Sequence, residues 1–351
     1  MHYTNKSKAI LNWYDCRKRN LPWRSSKNPY KVWLSEVMLQ QTQVETVIPY
    51  YENWLNNYPT ILSVANADLD DLLKIWEGLG YYTRCRNFYR AAREVVSKFN
   101  CKIPDQIDRF RTLPGVGDYI AGAVMSIAFN QSHVAIDGNH RRVISRVLGL
   151  KSLSRYNQKR LKSYLRKLIA INRPGDMNQA LMDIGSSICK PRSTCCIECP
   201  LHNSCRAYLS GKPLSYPDKI SGKRIPVKNI VAALFEREDK ILISKRPERG
   251  LLGGLWELPN TEIPNGSNPQ ESLKNILNKK NSHNIKVGEN VGEIKHTFTH
   301  FKMNVSLYHC KVSNYSVSEP MSKWVSFSDL NQYAFSKANH KLFGLIKKEN
   351  V

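Results

Sequence analysis

Four cysteines, Cys189, Cys196, Cys199 and Cys205, stand in the spacing C-x6-C-x2-C-x5-C within one short basic loop. Thiolates are ligands for both iron–sulfur clusters and zinc, and four gathered so closely repel one another unless a cation lies among them. Compact zinc sites are usually built from two C-x2-C pairs, and one pair is present, so a cluster is favoured while both remain open. Disulfides fit less well. Nine cysteines is an odd number, and the N-terminal MHYTNKSKAILNWY lacks the apolar core of a secretory leader. Cys16, Cys85, Cys101, Cys195 and Cys310 fall outside the spacing and read as ordinary thiols.

Two carboxylates stand out against a basic background. Glu36 lies in VWLSEVMLQQTQVETV, which reads as one helix with an apolar stripe of Trp33, Val37, Val44 and Ile48 interrupted by Gln41. Nothing local makes Glu36 more than a surface helix residue. Asp137 follows Val134-Ala135-Ile136 and precedes Gly138-Asn139, the position of a helix N-cap. Between them, Leu113-Pro114-Gly115-Val116-Gly117 breaks two helical stretches and forms a helix-hairpin-helix turn. Gly115 and Gly117 let the backbone approach a phosphate, which the free N–H groups of the second helix bind without reading a base.

These residues need two kinds of scaffold. A chain of 351 residues suits two domains. From Asn5 to about Ser210 apolar residues recur at helical spacing, so residues 1–210 read as all-α. Residues 211–228, GKPLSYPDKISGKRIPVK, have the composition of an extended linker. In 229–351, NIVAALFERE and KILISKRP read as strands, PQESLKNILNKKN as a helix, and VGEIKHTFTHFKMNVSLYHCKV alternates again, giving a small α+β domain. The 53 Lys+Arg against 29 Asp+Glu give a formal charge of +24. With no apolar run near the ~18 residues of a membrane-spanning helix, that excess points to a polyanion such as nucleic acid.

The runs LPWR (Leu21–Arg24), NPYKVWLSEVMLQQTQV (Asn28–Val44), WEGLGYYTRCRN (Trp76–Asn87), LPGVGDYIAGA and IDGN, with the cysteine loop, resemble the endonuclease III superfamily of DNA glycosylases. Within it they are most similar to the MutY-type adenine glycosylases. The resemblance covers essentially the whole chain. It implies an all-α helix-hairpin-helix domain whose loop 189–205 holds a 4Fe-4S cluster, followed by a Nudix-like α+β domain.

It further implies an enzyme that removes adenine mispaired with 8-oxoguanine or guanine in duplex DNA; a monomer is expected, and the lack of a signal sequence suggests the cytoplasm. The base must leave the stack before its glycosidic bond can be reached. Glu36 would protonate the adenine and Asp137 would stabilise the oxocarbenium sugar, the division of labour that two carboxylates perform in retaining glycosidases. Tyr119 and Asn139 would orient these acids; Trp23, Arg24 and Asp183 would wall the base pocket; Gln41 and Tyr81 would wedge into the duplex. Strand-cutting relatives carry a lysine where Tyr119 stands, so the resemblance implies a monofunctional enzyme and argues against an endonuclease III-like bifunctional one. A DNA-binding scaffold without catalysis is argued against by Glu36, Asp137, Tyr119 and Asn139 occurring together.

Some positions depart from the family's pattern. His140 replaces a small apolar residue, and His140-Arg141-Arg142 reads as added phosphate contacts. Gly253–Pro259, GGLWELP, opens a Nudix motif, but PQESLKNILNKKN supplies one glutamate where magnesium needs several, so nucleotide hydrolysis is not expected. Phe298-Thr299-His300 resembles the family's loop that recognises 8-oxoguanine, with Thr299 keeping the hydroxyl of a serine.

Overall fold

The structure, a computed structural model, describes residues 3–169, 173–218, 225–280, 285–312 and 321–349. Along the chain the helices are α1 (Tyr3–Arg17), α2 (Pro29–Met38), α3 (Val44–Asn57), α4 (Ile61–Ala65), α5 (Leu69–Ile75), α6 (Thr83–Phe99), α7 (Ile107–Phe110), α8 (Asp118–Ile127), α9 (Gly138–Leu148), α10 (Arg155–Ile169), α11 (Pro174–Asp183) and α12 (Arg206–Leu209). Strands β1 (Val227–Arg237), β2 (Lys240–Lys245), β3 (Trp256–Glu257) and β4 (Asn260–Ile263) follow, then α13 (Pro269–Lys280), β5 (Ile285–Thr297), β6 (Lys302–Val312), β7 (Ser322–Ser326) and α14 (Lys337–Glu349). No helix among the described residues is long and apolar enough to cross a membrane.

Two compact units result: Met1–Asn66 with Asn87–Ser221, and Ala67–Arg86 with Gly222–Val351. In the first, α2 is buried on almost every side, from Tyr30 to Met38, because VWLSEVM has no continuous polar face. Asn28 starts it by accepting from the Tyr30 and Lys31 N–H groups, with Pro29 at its first position. The single helix expected through Val44 does not form. Gln41 takes a left-handed backbone, φ 57°, and α3 begins anew at Val44. The supposed gap in an apolar stripe is thus an exposed turn residue. Helix α2 packs on α8, α8 on α11, and α11 on α1. A core of Ile10 and Tyr14, Ile144 and Val147, Leu165 and Leu181 joins α1, α9, α10 and α11, and Leu201, Cys205 and Ala207 tie the cysteine loop into it.

The second unit has a sheet ordered β3-β2-β1-β6-β5, with β4 also pairing β1 and β7 pairing β2. Strands β1 and β6 run parallel; the other pairs are antiparallel. Period-two alternation sends Ala232 and Leu234 to a core shared with α14, and Val231, Ala233 and Phe235 to one shared with α13.

The division between Ser221 and Gly222 lies within residues 211–228, and residues 67–86, which the sequence placed in the all-α domain, also group with the sheet. Residues 67–86 side with the sheet because Asp70 pairs with Lys245 at 2.5 Å, the Arg86 guanidinium donates to the Gly253 carbonyl, and Glu77 accepts from the Phe335 N–H at 2.8 Å. The start of the expected linker is also held: Arg146 Nε donates to the Tyr216 carbonyl at 2.9 Å, and the Asp218 N–H to the Lys151 carbonyl at 2.7 Å. Residues 219–224 of the expected linker lie outside the described residues.

Candidate active site

Glu36 is only 4% exposed, although its local sequence suggested a surface position. The apolar surroundings of α2 bury it, and Tyr119, in the first turn of α8, donates its phenolic hydrogen to Glu36 Oε2 at 2.5 Å. Burial raises the Glu36 carboxyl to about 7; the Tyr119 hydrogen bond and the Arg24 charge pull it down, and the Asp137 charge adds to the rise. Burial also pushes the Tyr119 phenol well above its ordinary value, reinforced by Glu36 and Asp137, so it stays protonated as a donor.

Asp137 is the N-cap of α9, as its sequence position indicated. Its Oδ1 accepts from the His140 backbone N–H at 2.7 Å and meets the His140 ring Nδ1 at 2.7 Å; its Oδ2 accepts from Asn139 Nδ2 at 2.8 Å. Burial works to raise this carboxyl, but the His140 and Asn139 contacts outweigh it and bring Asp137 below its ordinary value. One acid is therefore pushed up and the other down. Asn139 is held in turn by Arg142 Nη2 on its Oδ1 at 2.7 Å. A Cβ on Gly185 would stand 2.6 Å from Asn139 Cβ, so glycine permits this approach.

Asp183 is buried, its side chain 2% exposed, between Arg24 and Arg19. Arg24 holds both oxygens, Nη1 to Oδ2 at 2.7 Å and Nη2 to Oδ1 at 3.1 Å, while Arg19 Nε reaches Oδ1 at 2.8 Å. Asp183 thus faces two guanidinium groups. Arg24 also lies over the Tyr14 ring, 5.5 Å from its centroid, and Trp23 packs edge-on to Tyr51. Gly115, φ 78°, closes the hairpin turn against Asn87, and Gly117 is the N-cap of α8 with open space where a Cβ would lie.

In the second unit Tyr81 adopts φ 49° and its hydroxyl lies 2.7 Å from the Thr299 hydroxyl. The Phe298 N–H donates to the Phe301 carbonyl at 2.9 Å, making the turn from β5 to β6 tight enough for the two rings to stack at 4.8 Å. Thr299 and His300 are exposed at its tip.

Several residues differ from their sequence reading or escaped it. His140 is fully buried, so the phosphate contact expected of it is not available; its ring turns inward onto Asp137. Arg19 and Arg142 carried no signal beyond charge. A cavity beside Tyr119, Val134 and Ile136 is also lined by Arg141, Arg155, Lys159 and Lys162, a basic concentration that helical spacing along α10 could have disclosed.

Cys189, Cys196, Cys199 and Cys205 line one pocket with Arg146, His202 and Tyr208. A π-helical turn, Ile184–Ile188, continues α11 and delivers Cys189, whose sulfur accepts from Arg146 Nη1 at 3.1 Å. Among the described residues no three His, Cys, Asp or Glu side chains gather tightly enough for a single metal ion. Four sulfurs on one zinc would each lie about 2.3 Å from it. A multinuclear cluster takes its thiolates from the walls of one pocket, and the four cysteines line one pocket here. Burial lifts the Cys199 thiol to about 12, and the other three sulfurs add to the rise, a state that bound cations relieve.

Residues 34–169 match the HhH-GPD superfamily of base excision DNA repair proteins, and residues 230–345 match the NUDIX domain. An adenine DNA glycosylase of Rattus norvegicus is 33% identical over 394 residues, spanning 95% of this chain and 76% of the rat protein. The chain belongs to the adenine DNA glycosylase family. The corresponding enzyme of Buchnera aphidicola subsp. Baizongia pistaciae is 33% identical over 98% of this chain and 97% of its own length. A thermostable thymine-DNA glycosylase of known structure, 27% identical, covers 59% of this chain and 98% of its own with a TM-score of 0.55. This glycosylase is therefore a base excision repair enzyme acting on DNA, with a helix-hairpin-helix domain followed by a Nudix-like domain. Its four-cysteine pocket offers the thiolate set that an iron–sulfur cluster takes.

Proposed function

We propose that the enzyme excises adenine paired with 8-oxoguanine or guanine, using Glu36 as general acid and Asp137 as the anion that stabilises the sugar. The observation that carries this reading is the separation of the two carboxylates: Glu36 is raised to about 7 and Asp137 lowered, so one holds a proton while the other is charged. Purine departure needs both. A proton from Glu36 makes adenine a better leaving group, and the negative Asp137 stabilises the positive charge that develops at the anomeric carbon.

The adenine first leaves the stack, since its glycosidic bond is otherwise out of reach. The left-handed backbones of Gln41 and Tyr81 support their assignment as wedges, because strained conformations concentrate where side chains are presented to a ligand. Trp23 and Arg24 form the wall of the base pocket. Asp183 fixes the Arg24 guanidinium through both carboxylate oxygens. Gly115, Gly117 and the first N–H groups of α8 take a phosphate of the flipped strand. Tyr119 keeps Glu36 aligned and supplies no amine, so no Schiff base forms there and the strand stays intact.

Phe298, Thr299 and His300 read the oxidised guanine opposite, with the exposed Thr299 hydroxyl as the donor to it. Cys189, Cys196, Cys199 and Cys205 would hold a 4Fe-4S cluster, which supplies cross-linking of the loop and, where its charge state changes, a redox-sensitive contact to DNA. The enzyme works as a monomer.

Labelled duplexes carrying adenine opposite 8-oxoguanine, and oxidised thymine in a second set, test the reading. Breaks at adenine that need alkali support it. Breaks without alkali at the pyrimidine would establish the bifunctional alternative instead.

A further inference from the structure

We propose that His140 is a positioning residue for excision: its buried ring donates from Nδ1 to Asp137 Oδ1 and sets the rotation of that carboxylate toward the sugar. The inference rests on the assignment of Asp137 as the sugar-stabilising anion.

The geometry carries it. An ionised carboxylate only accepts, so with Asp137 Oδ1 2.7 Å from the ring, the proton lies on Nδ1. The same oxygen takes the His140 backbone N–H, and Oδ2 takes the Asn139 amide. Three donors on two oxygens remove the freedom of the carboxylate to turn. Asp137 nevertheless keeps its side chain 22% exposed, while the histidine side chain is entirely covered. The anion thus faces outward and its support lies behind it.

Helix capping alone does not account for this ring. The backbone N–H of His140 already satisfies the capping arrangement. The other ring nitrogen, Nε2, is buried without a hydrogen-bond partner among the described residues, a cost that an apolar side chain of similar size avoids. The contact with Asp137 is what offsets that cost. The ionisable groups acting on Asp137 from elsewhere are Glu36 on α2 and Tyr119 on α8, with Arg142 one turn along α9. Tyr119 stays neutral and Glu36, when ionised, opposes a second negative charge, so the donors on α9 are the ones that favour the anion.

The test is the pH dependence of single-turnover adenine excision in H140V and H140N, beside wild type and D137N. A hydrogen bond to a charged group is worth enough that H140V should move the acidic limb up by about one pH unit, making excision roughly tenfold slower below that limb. The basic limb should stay in place. H140N, whose amide can donate near the Nδ1 position, should restore most of the acidic limb. Affinity for the mispaired duplex should be unchanged in both, because the ring is covered.

An H140V profile that keeps the wild-type acidic limb, whatever its height, sinks the inference. So does a salt-dependent loss of duplex affinity, which would return His140 to a phosphate contact. D137N separates the two levels: full excision by D137N defeats the assignment of Asp137, whereas an inactive D137N with a wild-type-like H140V defeats only the role of His140. Wild-type enzyme gives a second readout that does not depend on a variant at 140 folding. The His140 Nδ1 proton should be downfield and slow to exchange by NMR and should move upfield in D137N, whose neutral amide oxygen is a weaker acceptor. Absence of the downfield proton in wild type overturns the proposal.

Discussion

The phenol of Tyr119 donates to Glu36 Oε2 at 2.5 Å, joining the first turn of α8 to the buried face of α2. Two effects compete at that carboxyl. Burial favours the neutral acid and the phenol favours the anion, and the balance leaves the group near 7. Glu36 is thus protonated in a useful fraction at neutral pH and can give the proton up.

Excision should therefore follow a bell-shaped pH profile. Glu36 must carry its proton, so activity should fall as pH rises through about 7. Asp137 must be ionised, so activity should also fall once pH drops below its lowered value. Single-turnover rates on a mispaired duplex between acid and mildly alkaline pH check both limbs. E36Q should bind that duplex and leave the adenine in place; normal excision by E36Q would remove Glu36 from the acid role.

Tyr119→Phe deletes the donor that favours the Glu36 anion. The basic limb should then move upward by about one pH unit, since a hydrogen bond to a charged group contributes roughly 1.5–3 kcal/mol. A limb that stays put would mean that the phenol does not control the proton.

Asp183→Ala leaves Arg24 and Arg19 without their shared carboxylate. Breaking a buried pair from one side costs about 3 kcal/mol or more, because a guanidinium stays buried and uncompensated. Urea unfolding should show a loss of that order together with slower excision. D183N, which keeps shape and an acceptor, should lose less.

Thr299→Ala should reduce the preference for 8-oxoguanine over guanine more than it slows adenine removal. Because the Thr299 and Tyr81 hydroxyls lie 2.7 Å apart, Y81F and T299A should combine non-additively in duplex affinity. Strictly additive losses would show that the two hydroxyls act independently.

Cys199→Ser should lower the iron and sulfide content of purified protein and its visible absorbance, and loosen the loop that Leu201 and Cys205 anchor in the core. Zinc in place of iron and sulfide in the wild-type protein would refute the cluster and leave the acid pair untouched.

Local rules made much of this molecule legible in its sequence. The cysteine spacing marked one site, and the four sulfurs do line one pocket. Asp137 before Gly138-Asn139 announced an N-cap because capping involves only neighbours in the chain. The glycines of the hairpin turn and the alternation in β1 followed for the same reason. What the tertiary structure alone decided depends on atoms far away in the sequence. Glu36 looked like a surface residue until α8 covered it, and its raised pKa comes from that burial. The inward turn of His140, the clamp of Arg19 and Arg24 on Asp183, and the attachment of residues 67–86 to the sheet unit have the same origin. Sequence spacing specifies backbone and capping, whereas burial, charge state and side-chain partners are properties of packing, and a single chain read in order does not contain its own neighbours.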